Sequence, residues 1–158
     1  MAAGPAGLAP AAAAEADHPV QVALASAEPA AEPLPEPPKP LVVARIDLSD
    51  QRMSIYVDER LSYSFAVSTG RGSYRTPTGR WQAEWLSPRH RSRKYDNAPM
   101  PWSVFFYRGY AIHGTTEVKR LGQPASHGCI RLHPDNAKIF YQLVDANGRD
   151  NTLISVVR

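Results

Sequence analysis

A chain of 158 residues has room for one domain with a sizeable core, and no stretch of it is long and apolar enough to cross a membrane as a helix. Charge divides along the chain: residues 1–40 hold five acids and one lysine, a net of −4, which leaves +7 on residues 41–158. A basic domain suits an acidic partner, but no nucleic-acid reading motif accompanies the charge, so nucleic-acid binding is set aside.

Residues 1–40 contain 14 alanines and 9 prolines and no aromatic residue. Such a segment buries too little apolar surface to offset its ordering entropy, and it is read as a disordered Ala/Pro-rich linker. Its end, Ala31-Glu32-Pro33-Leu34-Pro35-Glu36-Pro37-Pro38-Lys39-Pro40, favours a semi-rigid polyproline II spacer. No Lys or Arg precedes Lys39, and Pro5 and Pro10 interrupt the apolar part, so no secretory leader is visible.

From Leu41 the pattern turns to strands. Val42, Val43, Ile46 and Leu48 come first, and Met53, Ile55 and Val57 then alternate with more polar residues. Asp58-Glu59-Arg60 turns the chain into a second alternating run, Ser62–Val67, which predicts an antiparallel hairpin. Turns are expected at Thr69–Gly72 and Thr76–Gly79, and short aromatic strands at Trp81–Leu86 and Ser103–Tyr107. Between those strands lies the densest basic run, Arg89-His90-Arg91-Ser92-Arg93-Lys94, read as a solvated loop or a substrate-steering one. Tyr110-Ala111-Ile112 then delivers His113 at a strand end.

The segment Ala111–Leu132, reading AIHGTTEVKRLGQPASHGCIRL, holds the only cysteine, Cys129, with His113 and His127. A thiol becomes a nucleophile when an imidazole takes its proton, and Gly114 and Gly128 allow the close backbone approach that an oxyanion hole requires. A lone cysteine is ordinarily a small buried hydrophobe, but the neighbouring Ser126, His127, Arg131 and His133 would all need buried partners. A four-ligand zinc site from His113, His127, Cys129 and His133 lacks the usual close ligand pairs and has a single thiolate. After the segment, Pro134 suits a first helical position, Ala137, Ile139, Phe140, Leu143 and Val144 make one apolar stripe, and Asn147-Gly148 ends it. Thr152–Val157 closes the chain as a β-branched strand, so the fold class is mainly β: a sandwich or barrel-like domain over 41–158 with one short helix after the cysteine.

His113-Gly114 followed by Ser126-His127-Gly128-Cys129-Ile130-Arg131-Leu132 resembles the signature of the bacterial L,D-transpeptidase catalytic domain. Ser68-Thr69-Gly70 with Arg75–Gly79, Asn97–Pro101 and Tyr110–Gly114 fit the same family in the same order, over roughly Leu41 to Arg158. The resemblance implies that Cys129 is the nucleophile, His113 its proton acceptor and donor, and the backbone carbonyl of Gly114 the group that orients His113. His127 and Gly128 are expected in substrate alignment and the oxyanion hole, and Ser126 in substrate binding. From the residues themselves, Arg131, two positions past Cys129, would bind a stem carboxylate, brace the loop or make a purely structural salt bridge, and Tyr95 and Trp102 would wall the substrate pocket or pack in the core. The resemblance further implies peptidoglycan stem peptides as partners, no cofactor and no metal, a monomer, and a periplasmic or other cell-envelope location. The family donor is a tetrapeptide stem that loses D-Ala to form a thioester. An amine of a second stem then accepts the acyl group, giving a 3→3 cross-link. Water as acceptor would make the enzyme an L,D-carboxypeptidase, and an envelope lipoprotein as acceptor would be anchored to the wall. A non-catalytic wall-binding module is the alternative from another class.

Overall fold

The computed structural model describes residues 40–158, so the linker read over residues 1–40 lies outside the described residues, apart from Pro40. Among them the chain is mainly β. The strands are β1 (Val42–Asp47), β2 (Arg52–Val57), β3 (Arg60–Ala66), β4 (Gly79–Gln82), β5 (Trp85–Arg91), β6 (Pro99–Tyr107), β7 (Tyr110–Gly114), β8 (Ile130–Leu132) and β9 (Thr152–Val157). One α-helix, α1 (Pro134–Asn147), separates β8 from β9. The strands form two open sheets, ordered β3-β2-β1-β9-β4 and β5-β6-β7-β8, rather than a closed barrel.

The predicted hairpin is β2–β3, with Asp58 and Glu59 at φ 48° and 65° in its turn. Alternation in β1 and β2 points Val42, Ala44, Ile46, Met53 and Ile55 inward. β9 lies between β1, to which it runs parallel, and β4, to which it runs antiparallel, adding Ile154 and Val156 to that face. The second sheet gives Val104, Phe106, Ile112, Ile130 and Leu132 to the same core, and α1 adds Ala137, Phe140 and Val144. Pro134 is the first helical residue and Gly148 caps the end at φ 91°. Ahead of Pro134, the imidazole of His133 caps the start by accepting from the Asp135 N–H at 3.3 Å.

Two expectations are corrected. Trp81–Leu86 is not one strand: the chain leaves the first sheet after Gln82 and enters the second at Trp85. The basic run is not simply a loop either, because Arg89, His90 and Arg91 belong to β5, which pairs residue for residue with Pro101, Met100 and Pro99. β5 is an edge strand, so Pro88 and a polar composition are tolerated there. Pro99 and Pro101 fall in the part of β6 that pairs with β5 alone, since pairing with β7 begins only at Val104.

Candidate active site

The inward residues of the second sheet fix what its outer face must carry. With Ile112, Ile130 and Leu132 in the core, alternation turns Ala111, His113, Cys129 and Arg131 to the opposite side. β7 and β8 run parallel with His113 opposite Arg131 and Ile112 opposite Ile130. Extending that register by one residue sets Cys129 beside Ala111, two residues short of His113 on the same face. The sixteen positions that separate His113 from Cys129 in sequence thus collapse to one step along a strand pair.

His113 is buried, and its Nδ1 lies 2.7 Å from the Gly114 carbonyl oxygen. A carbonyl can only accept, so Nδ1 carries the proton and Nε2 keeps a free lone pair. Burial pushes the His113 pKa down to about 4; the bond to Gly114 resists this, while the charges of Arg131 and His90 add to it. Burial also raises the Cys129 thiol above its ordinary value, against a backbone hydrogen bond at Ala111 and the charge of Arg131, which pull it down. Both shifts favour neutral forms, so the resting pair is thiol and imidazole rather than thiolate and imidazolium.

The loop before the cysteine is held by its own polar groups. Ser126 Oγ donates to the Cys129 carbonyl at 2.5 Å and accepts from the Gly128 N–H at 3.0 Å. The hydroxyl expected to bind substrate is therefore committed to shaping the loop, and the Gly128 N–H expected in an oxyanion hole is already engaged. Gly128 sits at φ 118°, and a Cβ there would come within 2.7 Å of the Tyr110 ring, so only glycine fits. The Thr76 hydroxyl donates to the Gly128 carbonyl at 2.8 Å and accepts from the Gly70 N–H at 2.9 Å. Thr69 is fixed in turn by buried Gln51, which accepts from the Thr69 N–H at 2.9 Å and donates to its hydroxyl at 2.6 Å.

A cavity of about 570 Å³ has a lining that includes Cys129, His113, His127, Ser126, Arg131 and Tyr95. The His127 ring is stacked on Tyr95 at 4.5 Å and met edge-on by Tyr74 at 4.7 Å. Arg131 is tied to Glu117 at 2.6 Å. Trp85 stacks on Phe105 at 3.7 Å with His90 edge-on to both, forming an aromatic wall that the sequence reading did not single out for the site. Trp102 is placed elsewhere: its backbone takes φ 58°, and its ring packs against Tyr141 of α1 at 5.4 Å, away from the cavity lining. Among the described residues no three potential metal ligands converge, and His133 is occupied capping α1.

Comparison with known proteins adds four findings. The family model of the L,D-transpeptidase catalytic domain (YkuD) matches residues 42–156. The Bacillus subtilis protein YqjB, assigned to the L,D-transpeptidases, is 27% identical over 132 residues, covering 74% of this chain and 72% of its own. An L,D-transpeptidase from Stackebrandtia nassauensis is 27% identical with a TM-score of 0.67, the match covering 77% of this chain and 57% of that one. L,D-transpeptidase 3 from Mycobacterium tuberculosis, solved with a faropenem-derived adduct, shares the fold at 20% identity and a TM-score of 0.65 over 75% of this chain and 61% of its own. The chain thus spans less than two thirds of both solved chains.

Proposed function

The chain belongs to the L,D-transpeptidase catalytic-domain family, and from that premise we propose that it forms 3→3 cross-links between peptidoglycan stem peptides through a thioester on Cys129. The observation that carries the reading is the placement of His113 and Cys129 on one face of adjacent parallel strands, with Nδ1 of His113 bound to Gly114 and Nε2 left to act as base. The Cys129 thiol proton passes to Nε2 of His113 as sulfur attacks the carbonyl between the third stem residue and the terminal D-Ala. The tetrahedral oxyanion is met by the Cys129 N–H, since the neighbouring Gly128 N–H is spent on Ser126. Breakdown sends the His113 proton to the leaving amine, and D-Ala departs.

The resulting thioester is attacked by the side-chain amine of a second stem, which gives a proton to His113 as the new amide forms. That proton returns to the sulfur, so no cofactor is consumed. The Gly114 carbonyl fills the orienting role that a carboxylate takes in other triads. His127, held between Tyr74 and Tyr95, and Arg131, braced by Glu117, align the stem. The substrate places the reaction in the cell envelope, outside the cytoplasm. The enzyme is proposed to act as a monomer.

The test is intact-protein mass and product analysis after incubation with a disaccharide-tetrapeptide, with wild type and Cys129→Ala side by side and EDTA in parallel. Loss of D-Ala with a dimer, absent in Cys129→Ala and indifferent to EDTA, is expected. Tripeptide without dimer would convert the reading to a carboxypeptidase, or to an enzyme whose acceptor is a lipoprotein. No acylation of Cys129 by the stem or by faropenem would overturn the nucleophile assignment.

A further inference from the structure

The catalytic cavity has an electrically one-sided wall that the proposed chemistry does not use. Four charged residues line the cavity as a whole, Arg93, Lys94, Glu117 and Arg131. Glu117 and Arg131 neutralise each other at 2.6 Å, which leaves Arg93 and Lys94 as the uncompensated charges. Both stand at the tip of the β5–β6 hairpin, beyond the last paired residues Arg91 and Pro99. The other arginines of the same run, Arg89 and Arg91, line a separate depression with Pro88, Pro99 and Pro101.

The tip is built rather than slack. The Ser92 N–H donates to the Ala98 carbonyl at 2.9 Å, and the Ala98 N–H donates to the Tyr95 carbonyl at 2.9 Å. The Tyr95 N–H donates to Ser92 Oγ at 3.1 Å, and Asp96 and Asn97 take φ 45° and 52° to close the turn. Lys94 Nζ lies 5.4 Å from the centre of the Tyr95 ring, and that ring is stacked on His127, two residues before the nucleophile. Two cations are therefore presented on a hydrogen-bonded turn against the loop that carries Cys129. A neutral or cationic ligand gains nothing from such a wall, whereas carboxylates gain on approach and again once docked.

Resting on the reading of the substrate as a stem peptide, we propose that Arg93 and Lys94 form an anion subsite that selects stems with free carboxylates over stems in which those groups are amidated. Amidation keeps the size of the group and removes its charge, so the two stems differ almost only in what this wall reads.

The test measures binding of two synthetic tetrapeptide stems, free acid and diamide, to Cys129→Ala by calorimetry at low and physiological salt. The free acid is expected to bind about tenfold more tightly at low salt, the sum of two exposed charge contacts, with the ratio shrinking as salt rises. Adding Arg93→Ala and Lys94→Ala, both exposed positions, should weaken the free acid to the level of the diamide and leave the diamide unchanged. Equal affinities, no binding of either stem, or a preference that survives the double substitution would overturn the subsite. Turnover by the enzyme with Cys129 intact separates the two ideas: activity on both stems without preference removes the subsite and keeps the reaction. A binding preference without turnover removes the reaction and keeps the subsite.

Discussion

At the scale of single residues, His113 is suited to the proposed role of base because it is buried away from water and its ring is held by a carbonyl rather than a carboxylate. An acidic partner would raise its pKa, whereas the Gly114 carbonyl fixes the ring with no full charge, and burial leaves the pKa at about 4. The acid limb of kcat/KM set by this group is therefore expected near pH 4, well below the ordinary imidazole value of 6.5. Stability should follow the same group. In the unfolded chain the imidazole binds a proton as pH falls through 6.5, while in the folded protein it stays neutral down to about 4. Across that window the unfolded state holds more protons, so stability present above pH 6.5 drains away as pH falls toward 4, by about 3 kcal/mol. His90 shifts in the same direction, so the measurement needs a variant that isolates His113. Urea midpoints at pH 7 and pH 4.5 should differ clearly in the wild type and much less in His113→Gln. An equal pH response in both would show that other groups carry it.

At the scale of elements, the loop before β8 depends on segments far away in sequence. Thr76 joins the turn before β4 to the Gly128 carbonyl, and Gln51, at the turn between β1 and β2, secures the chain beside it through Thr69. Thr76→Val keeps the shape and removes the hydroxyl, leaving the Gly70 N–H and the Gly128 carbonyl without that partner. The expected cost is about 1–3 kcal/mol of stability. The kinetic signature should be a fall in kcat larger than any rise in KM, because the nucleophile loop loosens while the cavity wall stays. Thr76→Ser should restore most of it, and a variant whose kinetics are unchanged would remove Thr76 from the positioning role. The sequence marked Thr76 only as part of a turn segment that fits the family and did not mark Gln51, and the hydrogen bonds of both were not legible there because their partners are set by tertiary contact. The cysteine, the histidine before it and the glycines around them were legible, because their chemistry is unusual and their order matches a known signature. Trp102 was open between a pocket wall and core packing, because composition alone does not say which way an aromatic ring turns; with φ at 58° its ring packs on Tyr141.

For the whole molecule, the hairpin, the helix with its proline start and glycine stop, and the closing strand could be read from local alternation and end signals. The pairing of β9 could not. Nothing in Thr152–Val157 specifies that it slots between β1 and β4, and that insertion places Ile154 beside Ala44 on one flank and Trp81 on the other. The first sheet is therefore complete only when strands from both ends of the described chain have met, a pairing of high sequence separation. The chemistry lies on the outer face of the other sheet, with the shared core between them. Stability and catalysis should therefore separate at Ile154, which is fully buried. Ile154→Ala is expected to cost about 2–5 kcal/mol through lost burial and the cavity left behind. That loss should appear as a lower urea midpoint at unchanged slope. Because neither His113 nor Cys129 rests on β9, kcat measured well below the melting transition should match the wild type. A fall in kcat with the fold intact would mean that packing under β7 and β8 transmits to the nucleophile, and that the first sheet sets the geometry of the site as well as its survival.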